Sequence, residues 1–97
     1  MEKRTNKYRL QLEYLSSAKG ETELPDALNI QFDNHDNLFQ IIEILKEKNP
    51  FEVQEQAVEF AIGLKMFSEI MIKNKSNPLF EELLPAFGVF MKKLKSL

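Results

Sequence analysis

The sequence predicts an α+β fold in which an N-terminal antiparallel β-hairpin precedes three helices. Two runs of alternating polar and apolar residues, three apolar stripes at helical spacing and an Asn-Pro pair at each junction between those stripes carry the prediction. The chain has 97 residues, enough for one hydrophobic core and too few to divide between two, so residues 1–97 are expected to form a single domain.

The first strand is expected over about residues 5–15. Tyr8, Leu10, Leu12 and Tyr14 fall on one face and Arg9, Gln11 and Glu13 on the other, the period of a strand with one wet side. Both tyrosines share the face of the leucines and so belong with the core. Residues 16–26 carry Ser16, Ser17, Gly20 and Pro25 without periodicity, which makes them a solvent-exposed connection, long for a hairpin. Alternation resumes over about residues 27–33, with Leu28, Ile30 and Phe32 opposed to Asn29, Gln31 and Asp33, and the two strands pair most simply as an antiparallel ribbon.

The stripe Leu38, Ile41, Ile42 and Leu45 places a helix over about residues 36–48, capped by Asp33 or Asn34. Asn49-Pro50 ends it and opens the next, over about 51–74, with Asn49 as cap and Glu52 positioned for a capping box. That middle helix has a main stripe, Val53, Ala57, Phe60, Ala61, Leu64, Phe67 and Met71, and a second, Val58, Ile62, Met66 and Ile70, nearly opposite. One buried face needs only the first, so the second is a candidate interface with another element or another chain. Gly63 costs the helix roughly 1 kcal/mol relative to alanine, which predicts a close neighbour, such as a crossing helix, at that point. Asn77-Pro78 opens the last helix, over about 78–95, whose stripe runs from Phe80 to Leu94. Pro85 on its polar side predicts a kink or break near Leu84.

Composition narrows the chemistry. Apolar residues make up 43% and charged residues 29%, with eight phenylalanines, a globular balance with core material free of polar atoms. The absence of cysteine excludes disulfides, thiol nucleophiles and thiolate metal sites. The apolar run from Ala57 to Ile72 is interrupted by Glu59, Lys65 and Glu69 and falls short of the roughly 20 apolar residues of a membrane span. The residues Met-Glu-Lys-Arg-Thr-Asn-Lys lead directly into the first strand, without the apolar stretch and small-residue cleavage site of a secretory signal, so the cytoplasm is the expected location.

Asp33, His35 and Asp36, within Asp33-Asn34-His35-Asp36-Asn37, are the candidate site for a metal or a proton transfer. The spacing fits neither an EF-hand nor a zinc site, and Asx residues at a strand-to-helix turn serve first as caps. The paired acids Glu81-Glu82 and Glu52 with Glu55 sit at helix starts, where they suit the dipole. No glycine-rich phosphate loop or nucleophile motif is present, so no cofactor is expected and the chain leans away from catalysis. Lys3, Arg4, Lys7, Lys92, Lys93 and Lys95 form basic ends, a candidate nucleic-acid surface if the termini converge. The net charge of −2 makes such binding the weaker expectation.

A protein partner or a second copy of the chain suits the residues better. Two strands alone are marginal and leave open edges, and Leu15, Phe39, Ile44, Phe51, Leu79 and Val89 lie off the main stripes.

The segments Asn6-Lys7-Tyr8-Arg9-Leu10, Phe32-Asp33-Asn34-His35-Asp36, Gly63-Leu64-Lys65-Met66-Phe67-Ser68-Glu69, Asn77-Pro78-Leu79-Phe80, Pro85-Ala86-Phe87 and Phe90-Met91-Lys92-Lys93-Leu94-Lys95 together span nearly the whole chain. On these the sequence resembles a small bacterial family described only as a domain of unknown function. The resemblance implies a bacterial cytoplasmic protein and brings with it no activity, ligand or site residue. The expected function is a non-catalytic interaction or regulatory module acting as a homodimer or with a protein partner. The alternatives are a nucleic-acid-associated protein, and a small enzyme or ligand carrier centred on Asp33, His35 and Asp36.

Overall fold

A computed structural model describes residues 4–97. In chain order it has strands β1 (Asn6–Leu12) and β2 (Leu28–Asn34), helices α1 (Leu38–Lys48) and α2 (Gln54–Lys73), a 3₁₀ turn (Pro78–Phe80) and helix α3 (Leu83–Lys95). The fold is α+β, an antiparallel two-stranded sheet followed by three helices. The described residues divide into two compact units, one reaching to His35 and the other comprising Asp36–Leu97.

In the first unit the register pairs Tyr8 with Phe32, Leu10 with Ile30 and Leu12 with Leu28 on one face, and Lys7 with Asp33, Arg9 with Gln31 and Gln11 with Asn29 on the other. The Tyr8 and Phe32 rings stack with centroids 5.4 Å apart, a cross-strand aromatic pair of the kind that fixes register. β1 stops at Leu12 and does not reach residue 15. Carried onward, the same register would set Leu15 against Pro25, which has no N–H to donate. Tyr14 therefore lies beyond the strand and is exposed, not part of the core. The 13–27 connection contains a turn closed by Gly20 N–H donating to the Ser17 carbonyl, with Gly20 at φ 76°.

In the second unit, α1 packs on α2 through Leu45, Ala57 and Ala61, all buried, with Ile41, Ile42, Phe60 and Leu94 against them. The two alanines bring α2's backbone close to α1. The cap of α1 is Asn37, whose Oδ1 accepts from the amides of Phe39 and Gln40 at 3.1 and 3.2 Å. Asp33 and Asn34, expected there, lie three or four residues too early, because the helix begins at Leu38 and only the residue before it has its side chain within reach of those amides.

The Asn49-Pro50 junction also differs from expectation. Asn49 takes the left-handed conformation (φ 46°) and closes the C-terminus of α1, its N–H donating to the Leu45 carbonyl at 2.9 Å. Glu52 is also left-handed, at φ 65°, which stops a helix from starting at residue 51, and α2 begins at Gln54 with no side-chain cap. No capping box forms. At the next junction Asn77 does cap, accepting from Leu79 N–H at 2.9 Å, with Pro78 opening the 3₁₀ turn. The break expected near Pro85 falls at Glu81–Glu82. This leaves Pro85 in the first turn of α3, where a missing N–H costs no helical bond.

Six phenylalanines tie the second unit together. Ring centroids run from Phe51 to Phe60 (5.1 Å), Phe60 to Phe90 (6.2 Å), Phe90 to Phe87 (6.1 Å), Phe87 to Phe67 (6.3 Å) and Phe67 to Phe80 (6.1 Å). Gly63 has no neighbour: a Cβ built there meets nothing within 4 Å, so the close approach its presence suggested does not occur.

Two substitutions follow from this backbone. Glu52→Gly should raise the unfolding free energy in urea by about 0.5–1 kcal/mol by relieving the left-handed residue, whereas a capping-box glutamate would show a loss. Gly63→Ala should add a similar amount, about 0.5–1 kcal/mol, because α2 gains helix propensity with no clash.

Candidate functional site

The Asp33–Asn37 segment is structural in its contacts. The Asp33 carboxylate accepts from Thr5 Oγ1 at 3.1 Å and pairs with Lys7 Nζ at 3.5 Å, bracing β2 against β1. Asn6 Nδ2 donates to the carbonyls of Asn34 and His35 at 3.3 and 3.2 Å. Asn34 is buried, at 2% exposure. Asp36 pairs with Lys65 Nζ at 2.9 Å, fastening the entry of α1 to the middle of α2. Among the described residues no three His, Asp or Glu side chains gather where a metal ion could be held. Asp33, His35 and Asp36 are adjacent in sequence, yet both carboxylates are committed to cations.

The described basic residues fall in both units. Lys3 lies outside the described residues. Lys7 holds Asp33 in the hairpin unit, and Lys92, Lys93 and Lys95 occupy the last turn of α3 in the other, where they suit the helix dipole.

Within the helical unit, Ile41, Leu64, Met91 and Leu94 line a groove of about 290 Å³ together with Lys48, Lys65 and Lys95. Lys48 Nζ donates to the Leu97 carbonyl at 2.8 Å and Lys65 is paired with Asp36. The lining holds no carboxylate, hydroxyl or imidazole, so it supplies apolar contact and positive charge rather than acid–base or nucleophilic chemistry.

Apolar exposure is the more developed feature. Of the second stripe of α2, Val58, Ile62 and Met66 are half-buried and Ile70 is 54% exposed. Leu15, Phe39, Ile44, Phe51, Leu79 and Val89, the residues off the main stripes, all stand exposed. The concentration that sequence reasoning missed is at the far end of the hairpin, where Leu12 (64%), Leu28 (57%), Leu15 (80%), Tyr14 and Ile30 are exposed within one unit. Alternation assigned the strand residues among them to a covered face. The signal that pointed otherwise was the length of the 16–26 connection, since long unstructured loops are commonly binding elements.

No helix among the described residues is long and apolar enough to cross a membrane. The model of a family described as a domain of unknown function with a solved structure, DUF3861, matches residues 6–96. A crystal structure of a protein of unknown function from Pectobacterium atrosepticum is similar to this chain, with a TM-score of 0.83 and 31% identity, over 97% of this chain and 100% of that one. No curated protein matches.

The two ion pairs differ in weight. Lys65 has a side chain only 18% exposed, against 81% for Lys7. Asp36→Ala should therefore cost about 1–2 kcal/mol in a urea melt, and Lys7→Ala no more than about 0.5 kcal/mol. In a Lys65→Met background the Asp36→Ala cost should be smaller, the difference measuring the pair's coupling.

Proposed function

The chain belongs to the DUF3861 family, domains of unknown function, and from that premise we propose that it is a non-catalytic protein-interaction module that acts in the cytoplasm as a homodimer. The observation that carries this reading is the uncovered apolar end of the hairpin, with Leu12, Leu15 and Leu28 each more than half exposed beside Tyr14 and Ile30. Exposed apolar side chains concentrated in this way on a ribbon support an interaction surface. Two strands with one apolar face gain stability from a further layer or further strands, and covering a leucine contributes about 1.5–3 kcal/mol when burial is complete. The remaining polar clusters support the same reading, since Asp33, Asp36, Lys7 and Lys65 are engaged in holding the fold. The Ile70 side of α2 is the competing surface for the same partner.

Native mass spectrometry and light scattering on the untagged protein should report a dimer. Leu12→Glu combined with Leu28→Glu should weaken it by at least about tenfold, or about 1.4 kcal/mol, with the helical circular dichroism retained. Ile70→Glu should leave the dimer intact. Dissociation by Ile70→Glu alone would move the interface to α2, and a monomer at every concentration tested would end the homodimer reading.

A further inference from the structure

The sheet contains β1 and β2 alone among the described residues, so each strand has one edge turned away from the other. The two edges are not equivalent. β1 carries Lys7 and Arg9 on its polar face, whereas Leu28 to Phe32 of β2 is Leu-Asn-Ile-Gln-Phe, with no charge and no proline. Lysine and proline are the devices that keep sheet edges from pairing, and β2 lacks both over these five residues. Leu28, Asn29, Ile30 and Gln31 are also exposed.

We propose that β2 pairs antiparallel with β2 of a second copy, joining two hairpins into a four-stranded intermolecular sheet with a two-fold axis at Ile30. This rests on the homodimer reading and names its surface. The argument begins with side-chain parity. A symmetric antiparallel pair keeps apolar residues opposite apolar residues only when its axis passes through a residue, because a shift by one flips every side chain to the other face. An axis at Ile30 sets Ile30 against itself and Leu28 against the other copy's Phe32 on the apolar face. It sets Asn29 against the other copy's Gln31 on the polar face, where the two amides can bond to each other. Asp33 lies outside this five-residue overlap and keeps Thr5 and Lys7. A symmetric β1 pair would instead bring two copies each of Lys7 and Arg9 onto one polar face, four cations where β2 has none. A β1-to-β2 contact between copies is head-to-tail and does not close into a dimer. The β2 pair also makes the apolar rows continuous, so that Leu12, Leu28 and Ile30 of both copies share one face.

The chain has no cysteine, which allows a direct test by single-cysteine cross-linking of the whole protein. Directly opposed residues in an antiparallel pair hold their Cα atoms about 4.5–5.5 Å apart, inside the roughly 4.4–6.8 Å that a disulfide spans, while diagonal neighbours stand at about 7–8 Å. Ile30→Cys should therefore convert most of the chain to covalent dimer on mild oxidation. Asn29→Cys alone and Gln31→Cys alone should remain near background, and a mixture of the two should cross-link. Arg9→Cys on β1 should not. Each variant is first checked for the native circular dichroism spectrum and dimer mass. A dimer that cross-links through β1, or at no β2 position, would overturn the β2 pairing and leave the homodimer reading in place. A monomer would remove both.

Discussion

The helical unit depends on one constraint: α3 has no fully buried residue of its own and is held by aromatic side chains reaching out from α2. Phe60 and Phe67 lie on α2, seven residues apart on one stripe. Each meets a ring of α3, Phe90 and Phe87 respectively, while Phe51 and Phe80 extend the row at its ends. Tilted and edge-on rings at 5–6 Å contribute about 0.5–1.5 kcal/mol each beyond the area they bury. The other flank of α2 is different in kind. There, small residues, Ala57 and Ala61, bring α1 in backbone-close. One helix thus packs a narrow contact on one flank and a wide aromatic one on the other, and the groove lined by Ile41, Leu64, Met91 and Leu94 is the space left over between those two spacings.

The hairpin unit is built on a different balance. Its polar face is closed by Thr5, Asp33 and Lys7 near one end, and its apolar face grades from the stacked Tyr8–Phe32 pair at that end to the open Leu12–Leu28 pair at the other. The residues that follow Leu12, namely Glu13, Tyr14 and Leu15, are all exposed as well. Stability and availability for binding are therefore separated along a single pair of strands.

Periodicity carried most of the fold. Alternation located both strands and their pairing, and the stripes located all three helices, because both signals arise from which side of an element meets water. What sequence could not supply was local backbone handedness and space. Asn49 satisfies the rule for an N-cap before proline, yet its φ of 46° makes it the C-cap of the preceding helix, and the two roles use the same residue type. Asp33, Asn34 and Asn37 are all competent caps, and the choice among them turned on where β2 ended. Gly63 looked like a point of close contact and faces open space. For the candidate site, Asp33 and Asp36 were correctly singled out as a cluster of charge, but their partners, Lys7 and Lys65, are 26 and 29 residues away and left no local signal.

The chemistry of the exposed surfaces bears on how a partner would be chosen. Charged interfaces select by steering and by repulsion of wrong partners, and the hairpin's open end has neither device over Leu28–Phe32, which holds no charge. Selection there must come from geometry: the main-chain spacing of an edge strand, and the period of two that admits one register parity and rejects the other. An uncharged edge is hazardous in a chain that meets many sheets, and the hazard is limited when the edge is occupied by its own symmetric copy, because a two-fold contact consumes both uncharged β2 edges at once. In a two-fold β2 pair, Lys7 and Arg9 would lie on the edge left at the outside of the sheet, where cations oppose further strand pairing.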